Sequence, residues 1–324
     1  MRTIGFVNSH KENERRIALL PEDLDKLSDI ASQIVFEKGY ASRMGVSDEE
    51  YLSRGAKILS REEILNKCDI ICDPKAGDAE YLEDLQEGRT IFGWVHPHVC
   101  ENVKNLLLKK HFEVYAWEEM MEDGMQVFYR NGMQVFSRNN ELAGEAAVNH
   151  GCQCCGILPE GKKAAVIGRG NTAQGAIRAL VRGGAYVTVY GRKNEEKLRK
   201  DIGQYDIIVN AVLWDPKRTD HIISRKELRQ AKQQALLVDV SCDEHGAVET
   251  SRPTDYAQPT FVEEGVIHYC VDHTPSIYYR EASKFISSQV KRFIRPLVTG
   301  ETDEVLESGC VIRNGEMILE ESCR

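Results

Sequence analysis

One segment of this 324-residue chain limits its fold more than any other: Lys163-Ala164-Ala165-Val166-Ile167-Gly168-Arg169-Gly170-Asn171-Thr172-Ala173-Gln174-Gly175-Ala176. A short apolar run ends at Gly168, and a helical pattern opens two residues beyond Gly170. Each small residue has its own task there. Gly168 allows a tight turn, Gly170 lets the backbone approach a pyrophosphate, and Ala173 lets helix and strand pack closely. The helix start, at Asn171 and Thr172, turns N–H groups and a positive dipole end toward a phosphate. A glycine triplet alone is weak, but the strand before it and the helix after it make this a dinucleotide-binding turn. Further buried strands follow at Tyr186 to Tyr190, Asp206 to Val212 and Ala235 to Val240. They alternate with helices at Thr172 to Arg182, Asn194 to Asp201 and Ser224 to Ala231, which predicts a doubly wound, Rossmann-type parallel sheet.

The second strand of that unit selects the cofactor. An NAD site places Asp or Glu at its end to hold the ribose 2′-hydroxyl. Here Val187-Thr188-Val189-Tyr190 runs into Gly191-Arg192-Lys193, with no carboxylate before Glu195. Arg192 offers planar, paired hydrogen bonds and Lys193 a point charge, which suits a 2′-phosphate and predicts NADPH.

Upstream, strand patterns at Ile4 to Val7, Ile34 to Glu37, Asp69 to Cys72, Thr90 to Val95 and Val114 to Trp117 alternate with helical segments, one starting at Pro21. That alternation predicts a second parallel α/β sheet. A tandem near-duplicate, Gly124 to Asn131 followed by Gly132 to Asn139, has Asn131-Gly132 at its joint and reads as a surface hairpin. A long helix is expected from Glu141 to Gly156 and another from Ser283 to Arg292. The remaining tail reads as polar and loop-rich.

Composition removes several classes. The net charge is −9, and no basic stripe with interleaved aromatics stands out, against a nucleic-acid partner. No apolar run approaches the ~20 residues that span a bilayer. The opening Met1 to Val7 lacks a secretory signal, so a cytoplasmic protein is expected. The ten cysteines are irregularly spaced. They read as free thiols rather than zinc ligands, and no metal is expected.

The segment Leu236 to Ser251, with Gly265 to Val271 and Thr274-Pro275-Ser276, resembles the alanine dehydrogenase and transhydrogenase α-subunit superfamily. Arg15-Arg16-Ile17-Ala18-Leu19-Leu20-Pro21 and Gln86 to His96 fit it too, so the likeness spans nearly the whole chain. Three stretches resemble the N5-(carboxyethyl)ornithine synthases more closely: Gly93-Trp94-Val95-His96-Pro97, Gly170 to Ala176, and Thr274 to Arg280. The resemblance implies NADPH-dependent reductive condensation of pyruvate with the side-chain amine of ornithine or lysine. The alternatives are an alanine dehydrogenase and, in another class, a non-catalytic NADP-binding sensor. It also implies a homo-oligomer acting on small molecules.

Carried over by position, the carboxylate-binding arginine is Arg16, the catalytic histidine His96 and the catalytic aspartate Asp243. The family's substrate lysine precedes a proline, whereas here Asp73-Pro74-Lys75 inverts that order and leaves Lys75 as the cation for the oxo group. Asp272 and His273 replace residues usually uncharged or amide-bearing, and Asp272 adds a carboxylate suited to a cationic amino acid. The expected architecture is two α/β domains. Residues 1–138 with 275–324 would form a discontinuous, Rossmann-like substrate domain, and 139–274 the dinucleotide-binding domain. Substrate is expected in the cleft between them.

Overall fold

A computed structural model describes residues 1–98, 100–122, 133–215, 217–244 and 246–318. In chain order its elements begin with β1 (Ile4–Phe6), α1 (Pro21–Leu24), β2 (Ile34–Glu37), α2 (Asp48–Leu52), β3 (Lys57–Leu59) and α3 (Arg61–Lys67). They continue with β4 (Ile70–Cys72), β5 (Thr90–Gly93), α4 (Glu101–Lys109), β6 (Glu113–Ala116), β7 (Met121–Glu122) and β8 (Met133–Gln134). The middle of the chain holds α5 (Ser137–Cys154), β9 (Lys163–Ile167), α6 (Asn171–Arg182), β10 (Tyr186–Tyr190), α7 (Glu195–Asp201) and β11 (Ile207–Asn210). Then come α8 (Arg225–Leu228), β12 (Leu236–Asp239), β13 (Thr260–Glu263), β14 (Val266–Tyr269), α9 (Tyr279–Thr299), α10 (Glu304–Ser308), β15 (Cys310–Arg313) and β16 (Glu316–Met317). The chain divides into two compact units, Met1–Phe136 with Tyr279–Arg324, and Ser137–Tyr278.

In the first unit eight described strands form one sheet in the order β16-β15-β6-β5-β4-β1-β2-β3, and β7 and β8 form a separate pair. Strands β1 to β6 pair in parallel. The central runs Ile4-Gly5-Phe6 and Ile70-Ile71-Cys72 are apolar and wholly buried, while Lys57 and Glu113 lie in strands further out, β3 and β6. Strands covered by helices on both faces need that pattern, because neither side meets water. The tail corrects the loop-rich reading. Val311 and Ile312 are fully buried, and β15 pairs antiparallel with β6, setting Ile312 opposite Val114.

Helix α9, from Tyr279 to Thr299, is longer than the Ser283 to Arg292 its pattern suggests. It buries Ser283 and Ser287 along with Ile286, Val290 and Phe293, so its inward face is partly polar. Pro296 lies inside it without ending it, and Gly300 N–H still donates to the Pro296 carbonyl at 2.8 Å.

Residues 124–132 of the tandem duplicate lie outside the described residues. On either side of them β7 and β8 pair antiparallel. Ser137, Arg138 and Asn139, read as the end of the hairpin, instead begin α5.

In the second unit the sheet order is β10-β9-β11-β12-β14-β13, parallel except for β13. Strand β9 has β10 on one side and β11 on the other, so the connections leave its carboxyl end in opposite directions. Such a switch point opens a crevice at the strand ends, where open α/β sheets take their ligands. The helices α5 and α6 cross with almost no side chain between them. A Cβ on Gly144 would overlap the Thr172 carbonyl oxygen, and one on Gly175 would overlap that of Glu141.

Candidate active site

Parallel strands deliver their outgoing loops to one rim. In the first unit the loops leaving β1, β4, β5 and β6 bring together Arg16, Lys75, His96 and several residues that the sequence did not single out. Arg16 is only 4% exposed, and its partner Glu14 only 1%. The Arg16 Nε donates to Glu14 Oε1 at 2.8 Å, Nη2 donates to Oε2 at 2.5 Å, and the guanidinium lies 4.9 Å over the Trp94 ring. Burial alone would raise the Glu14 pKa. The Arg16 charge and hydrogen bonds, with help from Lys75, outweigh it and hold the carboxyl at about 2. Arg15, next in the chain, is exposed and lies 5.9 Å from the Tyr279 ring.

The segment after Arg16 belongs to neither helix nor strand, yet it is buried, so its backbone needs partners. Side chains supply them. Ile17 N–H donates to Ser283 Oγ at 3.0 Å, Ala18 N–H to Tyr40 Oη at 2.7 Å and Leu20 N–H to Ser287 Oγ at 2.8 Å. Tyr51 Oη donates to the Leu19 carbonyl at 2.9 Å. These bonds explain the buried serines of α9: they anchor the stretch that carries Arg16.

Lys75 is mostly buried, with Nζ 3.5 Å from Asp78, a carboxylate also bound by Lys11. Its N–H donates to Asp73 Oδ1, and Tyr81 Oη donates to Asp73 Oδ2. Burial raises the Asp73 pKa to about 6 despite those bonds. His96 has a left-handed backbone with φ of 50° and a half-exposed ring. Glu118 holds it from both sides: its carboxylate accepts from the His96 N–H and lies 3.5 Å from Nδ1.

In the second unit Gly168 has φ of 113°, and a Cβ there would meet the Ala211 carbonyl oxygen at 2.6 Å. Both facts demand glycine at the switch point. Gly170 caps α6 with no side-chain capping bond, Gln174 Nε2 donates back to the Arg169 carbonyl at 3.3 Å, and Ala173 is fully buried against the sheet. A helix start with no side chain capping its N–H groups fits a dinucleotide pyrophosphate.

Arg192 and Lys193 follow β10 in a single exposed turn closed by Gly191 N–H donating to Asn194 Oδ1 at 2.7 Å. Glu195 does not neutralise them, because Arg218 holds both its oxygens at 3.1 Å. Arg169 was missed by the sequence reading. Its Nε lies 3.7 Å from where a Gly191 Cβ would sit, adding a third cation to this edge.

Asp243 lies on the turn after β12, and burial, with the nearby Asp239 charge, raises its pKa to about 6. Asp239 is fully buried, accepting from Asn210 Nδ2, the Cys242 N–H and Ser251 Oγ. Cys242 Sγ donates to the Cys270 carbonyl at 3.1 Å, tying this turn to the one after β14 that carries Asp272 and His273. Asp272 is half-exposed. Among the described residues, no group of three or more His, Cys, Asp or Glu is placed to hold a metal, and no helix is long and apolar enough to cross a membrane. The nine described cysteines are free thiols.

Two parallel α/β units, one with a glycine-rich turn at its switch point, place the chain among the two-unit Rossmann-type α/β proteins. It belongs to the alanine dehydrogenase/PNT family. Residues 5–143 match that family's N-terminal domain and residues 190–320 its C-terminal domain. The chain is 29% identical over 306 residues to an N(5)-(carboxyethyl)ornithine synthase of Clostridium botulinum, covering 90% of this chain and 93% of that one. It is 30% identical over 299 residues to one of Lactococcus lactis, covering 88% and 93%. A solved L-alanine dehydrogenase shares the fold, with a TM-score of 0.81 at 19% identity over 98% of this chain and 96% of that one.

Proposed function

We propose that this protein uses NADPH to condense pyruvate, or a close 2-oxo acid, with the side-chain amine of ornithine or lysine, releasing an N-(1-carboxyethyl) amino acid. The observation that carries this reading is the likeness, over nearly the full length, to enzymes named carboxyethylornithine synthases. Held on the Gly168–Ala173 turn, the cofactor would supply the hydride that reduces the condensed substrate. Asn171 and Thr172 line that turn, and Arg192, Lys193 and Arg169 offer three cations to a 2′-phosphate.

Arg16 receives the oxo-acid carboxylate, its guanidinium held over the Trp94 ring and aimed by Glu14. Lys75 polarises the oxo group as the amine attacks. His96, oriented by Glu118, and Asp243 move protons on and off oxygen and nitrogen. A carboxyl raised to about 6 exchanges protons readily near neutrality. Asp272 supplies negative charge for a cationic amine donor.

The test follows NADPH absorbance with pyruvate present and offers ornithine, lysine, other diamino acids and ammonium separately, with NADH in parallel. Turnover with a diamino acid and not ammonium is expected. Turnover with ammonium alone would make the protein an alanine dehydrogenase. Tight NADPH binding without turnover of any pair would favour a sensor.

The cofactor reading has its own check. Replacing Arg192 and Lys193 together by Ser should raise KM for NADPH by about 10–100-fold, the range for losing charge-assisted bonds at a partly solvated site. KM for NADH should be little changed. A parallel rise for both cofactors would count against 2′-phosphate recognition.

A further inference from the structure

His273 is a buried imidazole whose hydrogen bonds are all missing. Its side chain is 9% exposed, and neither Nδ1 nor Nε2 has a hydrogen-bond partner among the described residues. Its backbone, by contrast, is pinned. The His273 N–H donates to Asp272 Oδ1 at 2.6 Å, and its carbonyl accepts from Ser276 N–H at 3.0 Å and from Tyr256 Oη at 3.3 Å. The φ of 45° puts a non-glycine residue in the left-handed region, a conformation that costs energy and persists only where surrounding bonds impose it. The Tyr256 ring stands edge-on at 5.5 Å and fixes the imidazole plane. A buried polar group left unmet costs about 1–3 kcal/mol, so native proteins rarely keep one without a use.

The surroundings define what could satisfy it. Asp272 Oδ2 lies 3.5 Å from Nδ1, close enough to attract a proton there but not hydrogen-bonded to it in this arrangement. The hydrogen bond from Cys242 Sγ to the Cys270 carbonyl brings the Asp243 turn alongside; burial, and then the charges of Asp239, Asp272 and Asp243, push the Cys242 thiol up. The Asp272 carboxylate beside the ring opposes a carboxylate or phosphate and favours a cationic hydrogen-bond donor. Neutral imidazole carries one acceptor nitrogen, which matches a primary ammonium.

We propose that His273 receives the amine substrate: Nε2 accepts from its ammonium group and takes the proton, while Asp272 stabilises the imidazolium through Nδ1–H. This rests on the reading that the protein condenses an amine with a 2-oxo acid. In the proposed step an N–H bond of R–NH3+ breaks, the electron pair stays on nitrogen, and the proton moves to His273. The free amine can then attack a carbonyl carbon, which an ammonium cannot. His273 is therefore a further proton station, in addition to His96 and Asp243, dedicated to the nucleophile.

The experiment labels the histidine rings with 15N and observes them by NMR in the protein saturated with NADP+ and lacking pyruvate. The His273 signal is identified by its loss in His273→Asn. Adding ornithine or lysine should move that signal toward the imidazolium position. In steady state, His273→Asn should raise KM for the diamino acid about tenfold or more, as loss of one charge-assisted bond implies. KM for pyruvate and NADPH should stay close to wild type. His273→Gln serves if the Asn variant does not fold.

A signal that ignores every amine, or one that moves fully with NADP+ alone, overturns the proposal, as does a KM rise shared equally by pyruvate. If diamino acids are turned over while the His273 signal stays silent, this inference fails and the proposed function stands. If no diamino acid is turned over but ammonium shifts the signal, the function fails and His273 keeps its role with ammonium as the amine.

Discussion

Arg16→Ala is expected to lower kcat/KM for the 2-oxo acid by about 30- to 4,000-fold and to destabilise the first unit in the same stroke. The activity estimate is the 2–5 kcal/mol usually lost when one partner of a desolvated charge contact is truncated. The stability loss has a separate origin. Glu14 is 1% exposed and loses the guanidinium that holds both its oxygens. An uncompensated buried carboxylate costs about 3–5 kcal/mol, or roughly 10 °C in Tm for a chain of this size.

The two effects separate in a double variant. Glu14→Gln with Arg16→Met removes both charges and should recover most of the stability while leaving activity low. Recovery of activity would mean that Arg16 does not hold substrate. The pH dependence has a definite sign. The folded Glu14 pKa is about 2 against 4.5 unperturbed. The ion pair therefore contributes in full above pH 4.5 and loses its contribution as pH falls toward 2. Acid titration of Arg16→Ala should show a weaker loss of stability across that window than the wild-type protein does.

Gly175→Ala is expected to cost several kcal/mol and to impair NADPH binding by tenfold or more, although one methyl group is all that changes. The added Cβ has no free volume, because the Glu141 carbonyl oxygen already occupies its position. Overpacking usually costs about 1–3 kcal/mol when side chains can move aside, and more when the obstacle is backbone. Relief requires α6 to shift away from α5. That shift displaces Asn171 and Thr172 at the start of α6, so cofactor affinity falls together with stability. Calorimetry and a fluorescence titration with NADPH measure the two losses. A variant that unfolds at the wild-type temperature and binds NADPH normally would show that the helices do not need this close approach.

The nucleotide turn was legible because its signal is local. Gly168, Gly170 and Ala173 lie within six residues, and strand β10 falls where the sequence sets it, at Tyr186–Tyr190, although it is an edge strand with Tyr186 exposed and not the buried strand expected. Elements completed from far along the chain were not legible. Strand β15 offers only Val311 and Ile312 as an apolar pair, and what makes it a strand is the waiting edge of β6. Helix α9 was legible from Ser283 to Arg292, but not the burial of Ser283 and Ser287, whose partners are backbone N–H groups near Arg16.

The site divides the same way. Arg16, Lys75, His96, Asp243 and Asp272 came from positional likeness to a family, which compares residue types. Glu14 and Glu118 were not read, because only the folded first unit sets them against Arg16 and His96; in the second unit Arg169 was missed, and His273 was noted only as a departure beside Asp272. In Arg15-Arg16 the charge pattern cannot say which guanidinium turns inward; only the packing against Trp94 does.

The first unit's sheet is closed by the far end of the chain, and this sets a timetable for the ribosome. Strand β6 ends at Ala116, but its partner β15 begins only at Cys310. At about 5–20 residues per second, that edge waits roughly 10–40 s for its covering strand. The central unit, contiguous from Ser137 to Tyr278, can mature in the interval, whereas the earlier-made strands stand with a bare row of N–H and C=O groups. Neighbouring nascent chains on one messenger expose the same edge at the same stage. Synthesis that pauses before Cys310 leaves an adhesive intermediate, so slowing translation of the stretch from Tyr279 to Cys310 should cost soluble yield more than slowing that of the central unit.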